Sequence, residues 1–308
     1  LKDAFPKARH IHYLEYYYRA EHGDVGFDPE FPASLDDVCR VRVKSATQLV
    51  GLEYADAGLS PTAWQKSTYP ACWHPTICQL HDGIDTAAVV PDAQASVTIG
   101  VDINPALPEP LVLTRKYEVL TYVARNLEPY RGFHTFMRSV PLILEQRPHA
   151  HIVIVGGDEV SYGKRPPQGT TYRELLQESW ADDIDMSRIH FLGKLPYSSY
   201  LKVLQISSLH VYLTYPFVLS WSLLEAMSAQ CLILASDTAP VRDVAADGTN
   251  CFLADFFDHR QLATRAADLL RNRKDLQEVR SNARRMVQAQ FDLQGICLPA
   301  QLVFLKPA

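Results

Sequence analysis

Three charged side chains stand out by type and spacing. Arg125 and Arg131 lie at the two ends of Arg125-Asn-Leu-Glu-Pro-Tyr-Arg131-Gly, between a run with strand character and one with helix character. Two fixed cations at the carboxyl end of a strand and ahead of a helix can grip a diphosphate. A surface arginine pair before a helix is the plainer alternative. The third side chain is Glu225, inside Tyr215-Pro-Phe-Val-Leu-Ser-Trp-Ser-Leu-Leu-Glu-Ala-Met227. Ser220 can cap the helix that starts there, and amides near Leu219 and Ser220 would then face a phosphate. A carboxylate in that place cannot hold a phosphate. It can accept hydrogen bonds from vicinal hydroxyls such as those of a ribose, or it is simply a solvated helix glutamate.

The surrounding pattern must position these groups. Tyr117 to Arg125 reads as a buried strand, and Phe133 to Glu145 as an amphipathic helix. His151-Ile-Val-Ile-Val-Gly-Gly-Asp158 is a strand with a glycine turn, followed by a proline-containing loop, 161–169, expected to be mobile and able to cover a cleft. Leu209 to Thr214 and Cys231 to Ala235 are apolar strands on either side of the Glu225 segment. Strand, loop, helix and strand in this rhythm predict a doubly wound parallel sheet, with the ligand beyond the carboxyl ends of its strands. Ahead of it, Arg9 to Leu14 and Leu59 to Thr62 read as strands, and 35–58 as a helix stopped by Gly58. The region 87–119 is rich in proline and reads as an extended connection containing a β-ribbon. The aromatic run Tyr13, Tyr16, Tyr17 and Tyr18 either stacks on a sugar or fills a core, and Glu15 and His12 beside it are possible acid or base groups.

Composition narrows the classes. With 308 residues there is room for two domains, and 47% apolar with 21% charged residues excludes a disordered or fibrous chain. A net charge of −5 gives no electrostatic reason to expect nucleic acid. No run approaches twenty uninterrupted apolar residues. The six cysteines are scattered, and Cys72, His74 and Cys78 match no zinc spacing, so reduced thiols in the cytoplasm are the default.

Taken together, these segments resemble the retaining glycosyltransferases often called family 4, group 1, in a bacterial subgroup. The resemblance rests on the Arg125 to Gly132 and Tyr215 to Met227 motifs, and on Tyr13-Leu-Glu-Tyr-Tyr-Tyr-Arg19, Asp24-Val-Gly-Phe-Asp-Pro-Glu30, Ser60-Pro-Thr-Ala-Trp-Gln65 and His81-Asp-Gly-Ile-Asp-Thr86. It implies an α/β GT-B architecture: two Rossmann-like domains facing across a cleft, the first incomplete. The expected divisions are 1–86 on the acceptor side, a linker over 87–116, and a nucleotide-sugar domain over 117–308 whose tail packs back on the first.

The resemblance also implies roles. Arg125 and Arg131 bind the donor's diphosphate, Arg131 standing where the family has lysine, and Glu225 binds the ribose. Phe217 stands where the family has a glutamate that touches the donor sugar. Lys194 and Leu195, just after Gly193, meet the base through their backbone. Gln230 and Cys251 stand where the family has glycines, a cost of about 1 kcal/mol wherever positive φ is required. The implied reaction moves a sugar from a UDP- or GDP-linked donor to a glycan or lipid-linked acceptor in cell-surface polysaccharide synthesis, at or near the inner membrane face, without cofactor or metal. A non-catalytic donor-binding module or degenerate subunit, and a GT-B sugar-nucleotide epimerase, are the alternatives.

Overall fold

The computed structural model describes residues 2–180 and 184–306. Its first unit is a three-stranded parallel sheet in the order β1 (Ile11–Tyr13), β2 (Ala57–Ser60), β3 (Ile77–Gln79). Helix α1 (Leu35–Glu53) starts at a capping box in which Ser34 and Asp37 satisfy each other's backbone amides. It ends at Glu53 with Tyr54 as its cap, not at Gly58 as the pattern suggests. Gly58 lies inside β2, where a Cβ would stand 2.5 Å from the Leu14 side chain. The short helix α2 (Ala63–Ser67) is capped by Thr62.

A ribbon of β4 (Ser96–Ile99) and antiparallel β5 (Leu111–Thr114) follows. Ile99 and Leu113 are fully buried, packed with Val203 and Ile206 of the second unit.

The second unit holds six parallel strands: β6 (Glu118–Asn126), β7 (Ala150–Gly157), β8 (Ile189–Phe191), β9 (Leu209–Tyr212), β10 (Ile233–Ser236) and β11 (Phe252–Ala254). Their order is β11-β10-β9-β6-β7-β8. The chain moves outward from β6 to β8, then returns to the other side of β6 and moves outward again. The reversal falls between β6 and β9, and the crevice beyond their carboxyl ends is the topological switch point. The helices are α3 (Phe133–Gln146), α4 (Tyr172–Gln177), α5 (Tyr197–Ile206), α6 (Trp221–Ser228), α7 (Ala239–Arg242), α8 (His259–Arg271), α9 (Gln277–Gln290) and α10 (Leu298–Leu305). Phe133, Phe136, Met137, Val140, Ile143 and Leu144 place one face of α3 in the core, at the spacing an amphipathic helix requires.

Beside single bonds such as those from the Tyr16 hydroxyl to the Pro216 carbonyl (2.9 Å) and from the Trp64 amide to Asp243, two larger contacts join the units. The tail returns as expected: Arg9 donates to the carbonyls of Phe304 (2.6 Å) and Lys306 (3.0 Å), and Gln301 donates to that of His81 (2.9 Å). In the other, the segment Asp24 to Phe31 lies on the second unit. Asp24 accepts from the hydroxyl of Tyr130 (2.9 Å), and Asp28 from that of Tyr215 (2.7 Å), with His134 Nε2 at 3.0 Å. Glu30 pairs with Arg138, and Phe27 packs among Tyr215, Phe256 and Phe257.

The two positions expected to bear lost glycines differ. Gln230 has φ of 59°, so its backbone is left-handed. Cys251 is fully buried and is not among the residues of positive φ, which the turn places instead at Gly248, with φ of 71°. Only Gln230 therefore carries the expected strain.

Candidate functional site

A cleft of about 610 Å³ opens at the switch point. Strand β6 delivers Arg125 to it through an irregularity in pairing between Val123 and Asn126. Arg125 is exposed and has no ion-pair partner among the described residues. Arg131 follows from a 3₁₀ turn, Pro129–Arg131, closed by Gly132 in the left-handed region (φ 67°). A Cβ at Gly132 would stand 2.4 Å from Leu213 Cβ, so glycine lets this turn sit on the end of β9. One guanidinium nitrogen of Arg131 donates to Thr214 Oγ1 (2.8 Å) and to the Val218 carbonyl (3.0 Å), while the guanidinium rests near the rings of Tyr162 and Phe217. Two hydrogen bonds orient the group and leave its remaining donors for a ligand.

Helix α6 supplies the opposite wall. Ser220 is its N-cap, accepting from the Ser222 amide at 3.4 Å. The Ser220 amide itself donates to the hydroxyl of Tyr212 (2.9 Å), so the phosphate contact expected of it is already taken by a phenol at the end of β9. The Leu219 amide has no such partner among the described residues. Glu225 is 9% exposed, and each of its oxygens accepts one phenol: Tyr197 at 2.8 Å and Tyr200 at 2.7 Å. Burial, reinforced by the Glu225 carboxylate, holds both phenols well above the usual tyrosine range, so they remain donors. Each carboxylate oxygen keeps a further lone pair for a ligand hydroxyl.

Of the residues singled out by sequence, the cleft wall unites Arg125, Arg131, Leu219, Ser220 and Glu225, with Tyr13 and Glu15 from the first unit. The others lie outside it. Phe217 is 3% exposed, packed against Tyr16, Tyr130 and Tyr162 at centroid distances of 4.9, 5.7 and 4.9 Å. An apolar ring at that position is drawn into the aromatic core between the units instead of projecting into the cleft. The Gly193 carbonyl accepts from the Gly156 amide at 3.0 Å, Lys194 pairs with Glu159, and Leu195 packs with the ribbon cluster. These three stand past β8, two strands from the switch point.

The structure adds residues that sequence reasoning missed: Asp82, which accepts from Tyr13 at 2.7 Å, and Glu128, Tyr162, Tyr197, Tyr200 and Tyr212. The spacing of Tyr197 and Tyr200 after Pro196 marks one face of a helix start and was the available signal. The loop expected to be mobile is tied at its start. Glu128 is 1% exposed and accepts from the amides of Ser161 (3.0 Å), Tyr162 (3.1 Å) and Gly163 (2.8 Å). Among the described residues, no group of three or more His, Cys, Asp or Glu is placed to hold a metal ion, and no helix is long and apolar enough to cross a membrane.

A parallel α/β sheet with cations and a helix N-terminus at its switch point defines a class of phosphate- and nucleotide-binding proteins. The family model for glycosyl transferases group 1 matches residues 105–286, and that for glycosyl transferase family 4 group matches residues 1–89. The chain belongs to the group 1 glycosyltransferases. No curated protein matches it. Among solved structures it is similar to sucrose-phosphate synthase from Thermosynechococcus elongatus, with TM-score 0.70 and 16% identity over 98% of this chain and 69% of that one. It is also similar to HepE from Anabaena in complex with UDP and glucose, with TM-score 0.65 and 16% identity over 96% of this chain and 71% of that one. For TarM the TM-score is 0.64 at 13% identity, over 97% of this chain and 51% of that one. These likenesses establish the GT-B fold.

Proposed function

We propose that this protein transfers a sugar, with retention, from a nucleoside diphosphate sugar to a glycan or lipid-linked acceptor in cell-surface polysaccharide synthesis at the inner face of the membrane. The observation that carries this reading is the convergence of Arg125, Arg131 and Glu225 on one cleft at the switch point. On this reading residues 1–86 form the acceptor side, 87–116 the connection, and 117–308 the donor domain. Arg125 and Arg131 bind the diphosphate and offset the negative charge that grows on it as the bond to the sugar breaks, a preorganised electrostatic contribution needing no metal. The Leu219 amide at the start of α6 adds to that field. Glu225, aimed by its two phenols, accepts hydrogen bonds from the ribose hydroxyls. The UDP-bound HepE structures favour UDP as the first nucleotide to try.

The test is calorimetric titration with UDP, GDP and ADP, with and without magnesium. One nucleotide should bind without metal, and Arg125→Ala and Glu225→Ala should each weaken it about tenfold or more, as expected for losing a charge-assisted hydrogen bond. Folded protein that binds none of the three, or binding indifferent to both substitutions, overturns this assignment of the site.

A further inference from the structure

The nucleotide cleft opens at one end into a second chamber of about 530 Å³, and Tyr162 stands in the walls of both. Arg131, Ser220 and Glu225 line the first cavity and not the second. Tyr162 therefore marks the end of the cleft away from Glu225, and the Arg131 guanidinium lies 5.6 Å from its ring centroid. A diphosphate held by Arg131, with its ribose at Glu225, sends its other substituent toward this end.

Tyr162 is 39% exposed, yet the loop that carries it is fixed along its length. Asn126 donates to Ser161 Oγ (2.7 Å), the amides of residues 161–163 donate to Glu128, and the Lys164 carbonyl accepts from the hydroxyl of Tyr172 (2.7 Å). Phe217 and Tyr130 flank the ring at centroid distances of 4.9 and 6.1 Å. A side chain placed in advance in this way costs little to order when a ligand arrives. Its backbone amide is engaged by Glu128, whereas its hydroxyl has no hydrogen-bond partner among the described residues. The phenol thus offers the cleft an apolar face and a polar handle. A hexose has a use for each, with C–H groups on its faces and hydroxyls around its rim.

We propose, on the nucleotide reading of the cleft, that Tyr162 seats the hexose of the donor, its ring against one face of the sugar and its hydroxyl bonded to one of the sugar's own. Diphosphate and hexose are then held by adjacent side chains, Arg131 and Tyr162. Tyr162 acts on the sugar and not on the nucleotide, which makes it a determinant of which donor is accepted.

The experiment compares, by calorimetric titration of the full chain, UDP with UDP-glucose, GDP with GDP-mannose and ADP with ADP-glucose. Wild type, Tyr162→Phe and Tyr162→Ala are each titrated. In the pair that wild type binds, Tyr162→Ala should weaken the sugar-bearing form about tenfold more than the bare nucleotide, and Tyr162→Phe, which keeps the ring but not the hydroxyl, about threefold more. Unchanged melting temperatures establish that both variants fold. Equal losses for the two members of the pair overturn the proposal, by removing Tyr162 from the sugar. Binding of the sugar-bearing form that ignores both substitutions overturns it as well. Wild type that binds a bare nucleotide but none of the three sugar-bearing forms also overturns it, while the nucleotide site stands. Wild type that binds none of the bare nucleotides instead fails the nucleotide reading beneath it.

Discussion

At the scale of single residues, the buried histidines give the protein a pH dependence with a definite sign. Burial pushes His210 down to about 3, and burial with the neighbouring His151 pushes His190 down to about 4. Both lie below the ordinary value near 6.5, so the unfolded chain binds the extra protons and stability falls as pH drops through 6.5 toward those folded values. Each should cost about 2 kcal/mol between pH 7 and pH 5. Melting of wild type and His210→Asn at the two pH values checks this: the variant should lose about 2 kcal/mol of the pH-dependent change. Arg125, Arg131 and Glu225 could be picked out in the sequence because each sits at a junction between patterns of different period. The phenols that aim Glu225 and occupy the Ser220 amide were not: spacing puts Tyr197 and Tyr200 on one helix face, but a tyrosine on a helix or strand reads equally well as core. The burial of Phe217 was not legible, because its place in the loop motif says nothing about which way an apolar ring turns.

At the scale of elements, most strands and helices were legible from periodicity, and the exceptions have local causes. The α1 pattern runs on past Glu53, yet the helix stops there, because Gly58 is needed in β2 where Leu14 crosses it. The end of α6 shows what a lost glycine does. Gln230 takes φ of 59° immediately after the helix cap, a conformation disfavoured for any residue with a Cβ. Gln230→Gly should therefore stabilise the protein by roughly 1 kcal/mol, read as a higher urea midpoint at unchanged slope. Cys251→Gly should do the opposite, since it removes a fully buried side chain from a position with no such strain.

At the scale of the whole molecule, the sheet order and the switch point follow from the alternation of strand and helix, but the way the two units meet does not. Asp24 to Glu30 is a recognisable motif whose structural work is visible only in three dimensions, where its carboxylates reach Tyr130, Tyr215, His134 and Arg138. Asp28 and His134 are both 3% exposed. Removing one partner of such a buried pair strands the other, so Asp28→Ala should cost roughly 3 kcal/mol. Calorimetric melting should show the units coming apart in separate transitions, while UDP affinity of the folded variant stays near wild type. A single transition at the wild-type temperature would mean that the tail and contacts such as Tyr16 to Pro216 couple the units without this segment.

Three successive amides, those of residues 161–163, point at Glu128. Consecutive backbone donors of this kind form a concavity that commonly collects phosphate. Here the protein fills it with its own carboxylate. The loop bearing Tyr162 consequently keeps its place by internal charge, whether or not a substrate anion has arrived, and on the proposed reading a diphosphate finds its partners at Arg125, Arg131 and the Leu219 amide instead.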